Sequence, residues 1–162
     1  MGRKEVTKVL TDAASHYYIR KLYAVFFEFG VGRRGERRLD LLCMNTKMNL
    51  VGVEVKSCKA DYTSDSKWME YLPFTNKLYL FLPPKLIESK FYQQILNDIK
   101  PYGVGVMTLT PMGNVKVIKP AKRREVADKV MMKLLIKMAW RGGASRRNCP
   151  EGKRRKRFYL EE

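Results

Sequence analysis

An α/β fold, built on a mixed β-sheet flanked by helices, follows from three features of this sequence. Stretches with the apolar patterning of strands alternate with stretches of helical spacing, in the order α-β-β-β-α-β-α-β-β-α. The chain has 162 residues and is 45% hydrophobic, enough for one domain to bury a core unaided. No segment repeats another.

Residues 5–22 predict the first helix, because Val6, Val9, Leu10, Ala13, Ala14, Tyr17 and Tyr18 recur at spacings of three and four without Pro or Gly. Residues 24–30 turn β-like with Val25, Phe26, Phe27 and Phe29. The glycines and arginines of 30–35 predict a hairpin or inter-strand loop. Strands follow at 37–44 and 49–57, with the polar residues 45–49 as their turn. A helix is expected over 61–71, capped by Asp61 or Thr63 and punctuated at its end by Pro73 and Asn76. Residues 77–82 are nearly all apolar and bounded by Pro83 and Pro84, the pattern of a buried central strand. A helix over 85–99, strands at 104–110 and 115–118 joined through a turn at 111–114, and a helix over 123–140 complete the core.

The folded core is thus expected over residues 1–140. From 141 to 162 the composition changes to glycine and the run Lys153, Arg154, Arg155, Lys156, Arg157, which reads as a flexible basic tail. Thirty-three Lys and Arg against sixteen Asp and Glu give a formal charge of +17. That excess favours encounter with a polyanion and release of counterions from a phosphate backbone, so nucleic acid is the first partner to expect. No apolar run approaches the roughly 20 residues that span a bilayer, and the first residues lack the apolar stretch of a secretory signal. Cys43, Cys58 and Cys149 fit neither a disulfide framework nor a zinc pattern, and His16 is the single histidine. Reduced thiols and a cytoplasmic location are the simplest expectation.

The chemistry-bearing segment is 49–57. Side chains alternate along a strand, so Val51, Val53 and Val55 face one way while Glu54 and Lys56 face the other, roughly 6.6–7 Å apart. Asp40 lies in the preceding strand, and hairpin pairing would bring it towards Glu54. Two close carboxylates suppress each other's ionisation unless a cation lies between them. Mg²⁺, hard and oxygen-loving, suits that place and would activate water against a phosphate, with Lys56 offsetting the developing charge. The competing reading makes Glu54 and Lys56 ordinary residues on a half-solvated sheet, although they interrupt an otherwise buried strand.

Leu39-Asp40, followed in the next strand by Glu54-Val55-Lys56 and preceded by an N-terminal helix, resembles the PD-(D/E)XK nuclease motif. Glu54-Val-Lys-Ser-Cys-Lys-Ala-Asp61, then Asp65-Ser-Lys67-Trp68 and the strand from Lys77 to Pro83, is similar to the MmcB-like DNA-repair branch of that superfamily. In that branch an E-[IV]-K strand precedes a D…D-x-K-W helix and an aromatic strand ending in Pro. The resemblance covers residues 28–84. It implies a restriction-endonuclease-like core, dependence on Mg²⁺ or Mn²⁺, and a phosphodiester substrate. Asp40, Glu54 and the Val55 carbonyl would bind the metal, and Lys56 would be the catalytic lysine. Leu39 stands where the motif has Pro, a position widely substituted in the superfamily.

Other roles stay open. Glu28 is either a third carboxylate or an arginine partner, and Glu5 could take the same part. Lys67 either contacts phosphate or is a solvated lysine. Asp61 and Asp65 read as cap and first-turn residues, and Trp68 reads as a core anchor. Arg33, Arg34, Arg37 and Arg38, with residues 153–157 of the tail, are the expected DNA contacts, positioning a backbone without reading its sequence. The expected activity is a metal-dependent DNA endonuclease in repair, recombination or phage-type DNA processing. The alternative is a non-catalytic basic DNA-binding accessory protein; an RNA substrate ranks lower, since no RNA-binding signature is present. A monomer would nick DNA, whereas a homodimer could cut both strands.

Overall fold

The computed structural model describes residues 1–65 and 67–142. Six strands form one sheet in chain order: β1 (Ala24–Val31), β2 (Arg37–Met44), β3 (Leu50–Val55), β4 (Lys77–Phe81), β5 (Gly105–Leu109) and β6 (Val115–Lys119). The pairs β1–β2, β2–β3 and β5–β6 are antiparallel, while β3–β4 and β4–β5 are parallel. This is the expected α/β architecture, a mixed sheet flanked by helices and consistent with a restriction-endonuclease-like fold. The apolar run 77–82 supplies the central strand β4, as its pattern predicts. Met1–Ala127 form one compact unit; a second begins at Asp128, and its described part is the helix α5 (Asp128–Gly142).

Helix α1 (Arg3–Arg20) covers β1, β2, β3 and β6. Its three- and four-residue spacing places Leu10, Ala14 and Tyr18 against Leu41, Cys43, Val51, Val53, Val55, Tyr79 and Phe81. Burying each such aliphatic or aromatic side chain contributes about 1.5–3 kcal/mol, which fixes the face that β3 turns to α1. A one-residue slip of β3 would put Glu54 and Lys56 into that core, so the register is strongly specified.

The opposite face carries Gly52 and Glu54 of β3 beside their partners Leu78 and Leu80 of β4. A 3-10 segment, Lys67–Phe74, packs over β2, β3 and β4 on this molecule. Gly52 makes room for that packing: a Cβ there would lie 2.7 Å from Thr75 Cγ2 and 2.9 Å from Leu39 Cδ2. Asn76 then holds the start of β3, its Oδ1 accepting from Leu50 N at 2.8 Å while its own N donates to Leu50 O at 2.9 Å.

Three helical expectations need correction. The helix expected over 61–71 is two elements, α2 (Lys59–Ser64) and the 3-10 segment, with Pro73 inside the latter. The break falls at Asp65, whose backbone is extended and whose carboxylate lies 3.6 Å from Lys56 Nζ. The helix expected over 85–99 divides into α3 (Pro84–Ile87) and α4 (Tyr92–Ile99), where the Ser89 hydroxyl takes up the Leu86 carbonyl at 2.7 Å. The last helix starts at Asp128 rather than 123; Arg124 is instead tied to Asn76, its N donating to Asn76 O and its O, which a helix would need for its own first bonds, accepting from Asn76 Nδ2.

Candidate functional site

Asp40, Glu54, Val55 and Lys56 come together at the end of the β2–β3 ladder. Backbone pairing between these strands runs from Met44↔Leu50 to Leu41↔Val53 and goes no further. The next position is filled by a side chain: Asp40 Oδ2 accepts the Val55 N–H at 2.7 Å. On the far side, Lys56 N donates to Phe81 O at 3.1 Å, so the Glu54–Lys56 segment is held by both neighbouring strands. Glu54 is 5% and Lys56 3% exposed. Lys56 Nζ lies 3.5 Å from Glu54 Oε1 and 3.6 Å from Asp65 Oδ2. Glu54 Oε2 is buried and has no hydrogen-bond partner.

The electrostatics follow from that burial. Glu54 is pushed up to about 8, first by desolvation and then by the Asp40 charge, against the pull of Lys56. The 3.5 Å separation from Lys56 is long for a charge-assisted hydrogen bond, in keeping with a carboxyl that stays protonated near neutrality. Asp40 is also raised, mainly by burial; the Val55 amide and Lys56 lower it, while Asp61 and Glu28 raise it. Glu54 thus carries little negative charge near neutrality, beside an Asp40 whose ionisation burial also disfavours.

Glu28 sits opposite this pair in an irregular stretch of β1. The ladder passes from Phe27↔Leu41 to Phe29↔Leu39, and Glu28 between them is exposed with φ 43°. A non-glycine residue in that region is strained, and its placement leaves the Glu28 carboxylate close enough to act on Asp40. Glu5 is engaged at the start of α1, where its Oε2 accepts the Gly2 N–H at 2.9 Å.

Two acidic residues do more than cap a helix. Asp61 lies in the first turn of α2, and its Oδ2 accepts both Ser57 N at 2.9 Å and Ser57 Oγ at 3.0 Å. Its other oxygen pairs with Arg3 of α1. Burial works against ionisation there, but the two Ser57 bonds, Arg3 and Lys56 outweigh it and hold Asp61 below the usual carboxylate range. Asp61 therefore ties the residue after Lys56 to both helices. The four-residue spacing from Ser57 to Asp61 is the one sequence signal for this link; the partnership of Asp65 with Lys56 has none.

The expected DNA contacts are dispersed. Arg33 and Arg34 are exposed in the β1–β2 hairpin, and Arg38 is exposed in β2. Arg37 is engaged by Glu70 of the 3-10 segment, and Tyr71 donates to the Arg38 carbonyl at 2.7 Å. Lys67 is exposed at the start of that segment, while Trp68 is buried as expected. Lys153, Arg154, Arg155, Lys156 and Arg157, like Cys149, lie outside the described residues. Among the described residues, no helix is long and apolar enough to cross a membrane, and no group of three or more His, Cys, Asp or Glu side chains is placed to hold a metal ion.

The chain matches the family of DNA repair proteins described as MmcB-like over residues 2–149. Among solved structures, a protein of unknown function from Silicibacter pomeroyi superposes with a TM-score of 0.68 at 19% identity, covering 90% of this chain and 93% of that one. That likeness concerns the fold. A structure of Pyrococcus furiosus SfsA in complex with Ca²⁺ is more remote, with a TM-score of 0.39, 14% identity, and coverage of 74% of this chain and 64% of that one. No curated protein matches the chain.

Proposed function

Because the chain belongs to the MmcB-like family of DNA repair proteins, we propose that it is a nuclease that hydrolyses phosphodiester bonds of DNA with Mg²⁺ or Mn²⁺ at Asp40, Glu54 and the Val55 carbonyl. The observation that carries this reading is the orphaned Glu54 Oε2, buried beside Asp40 and Lys56 in a sheet that is otherwise apolar there. A carboxylate oxygen buried without a partner costs about 1–3 kcal/mol or more, and a hard divalent cation is the partner that two carboxylates and a carbonyl suit. When bound, the cation supplies a Lewis acid that activates water and offsets phosphate charge.

This chain's own residues do the rest. Asp40, by accepting the Val55 N–H, holds in place the residue whose carbonyl would complete the donor set. Lys56, kept out of bulk water between Glu54 and Asp65, brings a fixed positive charge to a non-bridging phosphate oxygen. Arg33, Arg34 and Arg38 offer phosphate contacts from the β1–β2 hairpin, and Glu28, whose charge acts on Asp40, is a candidate third carboxylate.

Supercoiled plasmid incubated with Mg²⁺, Mn²⁺ or EDTA tests this, with Glu54→Ala alongside. Metal-dependent nicking or linearisation lost in the variant is the expected result; cleavage that survives Asp40→Ala, Glu54→Ala and Lys56→Ala sinks the assignment. A second reading, a non-catalytic DNA-binding accessory protein, is favoured by the lack of a three-ligand acidic cluster among the described residues. It requires steeply salt-dependent binding with no cleavage in either metal.

A further inference from the structure

Beyond the carboxylate pair, the structure holds an aromatic cavity of about 440 Å³ whose lining includes Tyr62, Trp68, Phe91 and Tyr102, with Gln94 and Asp98 at a polar end. Trp68 and Tyr62 are the buried rings of its lining. Tyr102 is 43% exposed, and Met69, also in the lining, is 41% exposed. The rings meet edge to face: Trp68 and Tyr102 at 5.4 Å between centroids, Tyr62 and Phe91 at 5.7 Å. The Tyr62 hydroxyl donates to Asp98 Oδ2 at 2.9 Å, and Gln94 Nε2 donates to Asp98 Oδ1 at 2.8 Å. The Gln94 carbonyl oxygen and second amide hydrogen are left for a ligand. Lys59 Nζ stands 4.9 Å from the Phe91 ring centre, and exposed Lys67 and Lys90 directly precede Trp68 and Phe91 in the chain.

These features discriminate between occupants. An apolar partner would bury the remaining Gln94 amide groups without pairing them. An acidic peptide would use the lysines but not the flat rings, and would meet the Asp98 carboxylate. An unpaired nucleobase uses all three: the ring stacks, the base edge pairs with amide and carboxylate, and flanking phosphates meet the lysines. Carboxylates accept from exocyclic amino groups of bases, which fits the Asp98 end.

We propose that this cavity receives an unpaired base of single-stranded or locally opened DNA, stacked on Tyr102. The proposal rests on the assignment of DNA as substrate and narrows it to strands with unpaired bases. α2 links the cavity to the candidate site, since Tyr62 and Thr63 lie in this helix and Asp65 at its end pairs with Lys56.

The test uses the full chain in EDTA, so that hydrolysis plays no part. The probe is a short oligo(dT) carrying one 2-aminopurine, compared with the same strand annealed to its complement. Wild type quenches 2-aminopurine in the single strand and binds it more tightly than the duplex. Tyr102→Ala lowers single-strand affinity on the order of ten-fold, about 1.4 kcal/mol, abolishes the quench and leaves duplex affinity unchanged. Tyr102→Phe restores both. Equal losses on both probes, or no loss on either, overturn the proposal. Cleavage is scored separately with Mg²⁺ and Mn²⁺. Quenching that depends on Tyr102 without cleavage in either metal keeps the base site and removes the nuclease; Glu54-dependent cleavage with wild-type binding by Tyr102→Ala does the reverse.

Discussion

In the metal-free protein, Glu54→Gln removes a carboxyl that the fold keeps protonated up to a pH of about 8. An ordinary value of 4.5 displaced that far corresponds to on the order of 5 kcal/mol, at about 1.4 kcal/mol per unit. Its sign is set by burial. Below pH 4.5 the carboxyl is protonated in folded and unfolded chains alike, and the full stability is present. Between 4.5 and about 8 the unfolded chain releases the proton while the folded chain keeps it, so stability falls as pH rises. Above about 8 the loss is complete. Glutamine cannot ionise, so the variant loses this slope and retains only the smaller contribution of Asp40, which is displaced in the same direction. A divalent cation selects the ionised form, so Mg²⁺ or Mn²⁺ stabilises wild type more at high pH, by about 2.7 kcal/mol at a hundred-fold excess over its Kd. Urea unfolding across this pH range, in EDTA and in each metal, measures both effects. Parallel EDTA curves for wild type and variant would refute the burial argument, and undiminished metal stabilisation of Glu54→Gln would refute the metal assignment.

Asp40→Ala orphans the Val55 N–H and lowers stability by about 1–3 kcal/mol, whereas Asp40→Asn keeps an acceptor and most of that stability while plasmid nicking is lost in both; equal unfolding midpoints for the two variants would contradict the bond's structural part. Lys56→Ala removes the cation that lowers Glu54, so the pH-dependent loss of stability moves to higher pH along with the loss of cleavage; a profile that stays in place would separate Lys56 from Glu54. Gly105→Ala drives a methyl into the Tyr79 ring and to 2.6 Å from Ala121 N, costing about 1–3 kcal/mol by denaturant unfolding, and a wild-type midpoint would show that β5 can shift.

Strands were more legible than helices in this chain. Residues 37–44 coincide with β2, and the apolar run from Lys77 pointed to a central strand, because apolar runs and flanking prolines are local properties. The juxtaposition of Glu54 and Lys56 was equally local, two polar residues two apart at the end of a buried strand, Lys56 directly following β3. The break between α2 and the 3-10 segment was not, since Asp65 leaves the helix towards Lys56, a partner nine residues back on another element. Arg3 and Asp61 are 58 residues apart, and no periodicity relates them. The positive φ of Glu28 belongs to the β1–β2 ladder rather than to the residue type. The aromatic cavity draws on four separate segments, so its rings read singly as core residues until the fold gathers them.

The Asp40–Val55 bond joins residues only 15 apart, within one antiparallel hairpin. Closing so short a loop carries a modest entropy cost, and hairpins form within about 1–10 μs, whereas the parallel pairings of β4 wait on long crossovers. Assembly therefore has an order: the carboxylates meet first, while still hydrated and ionised, and become reluctant acids only when β4 and the 3-10 segment close over them. Pulse-labelled hydrogen exchange should then see the Val55 amide protected before that of Leu82, whose N–H waits for Met107 of β5.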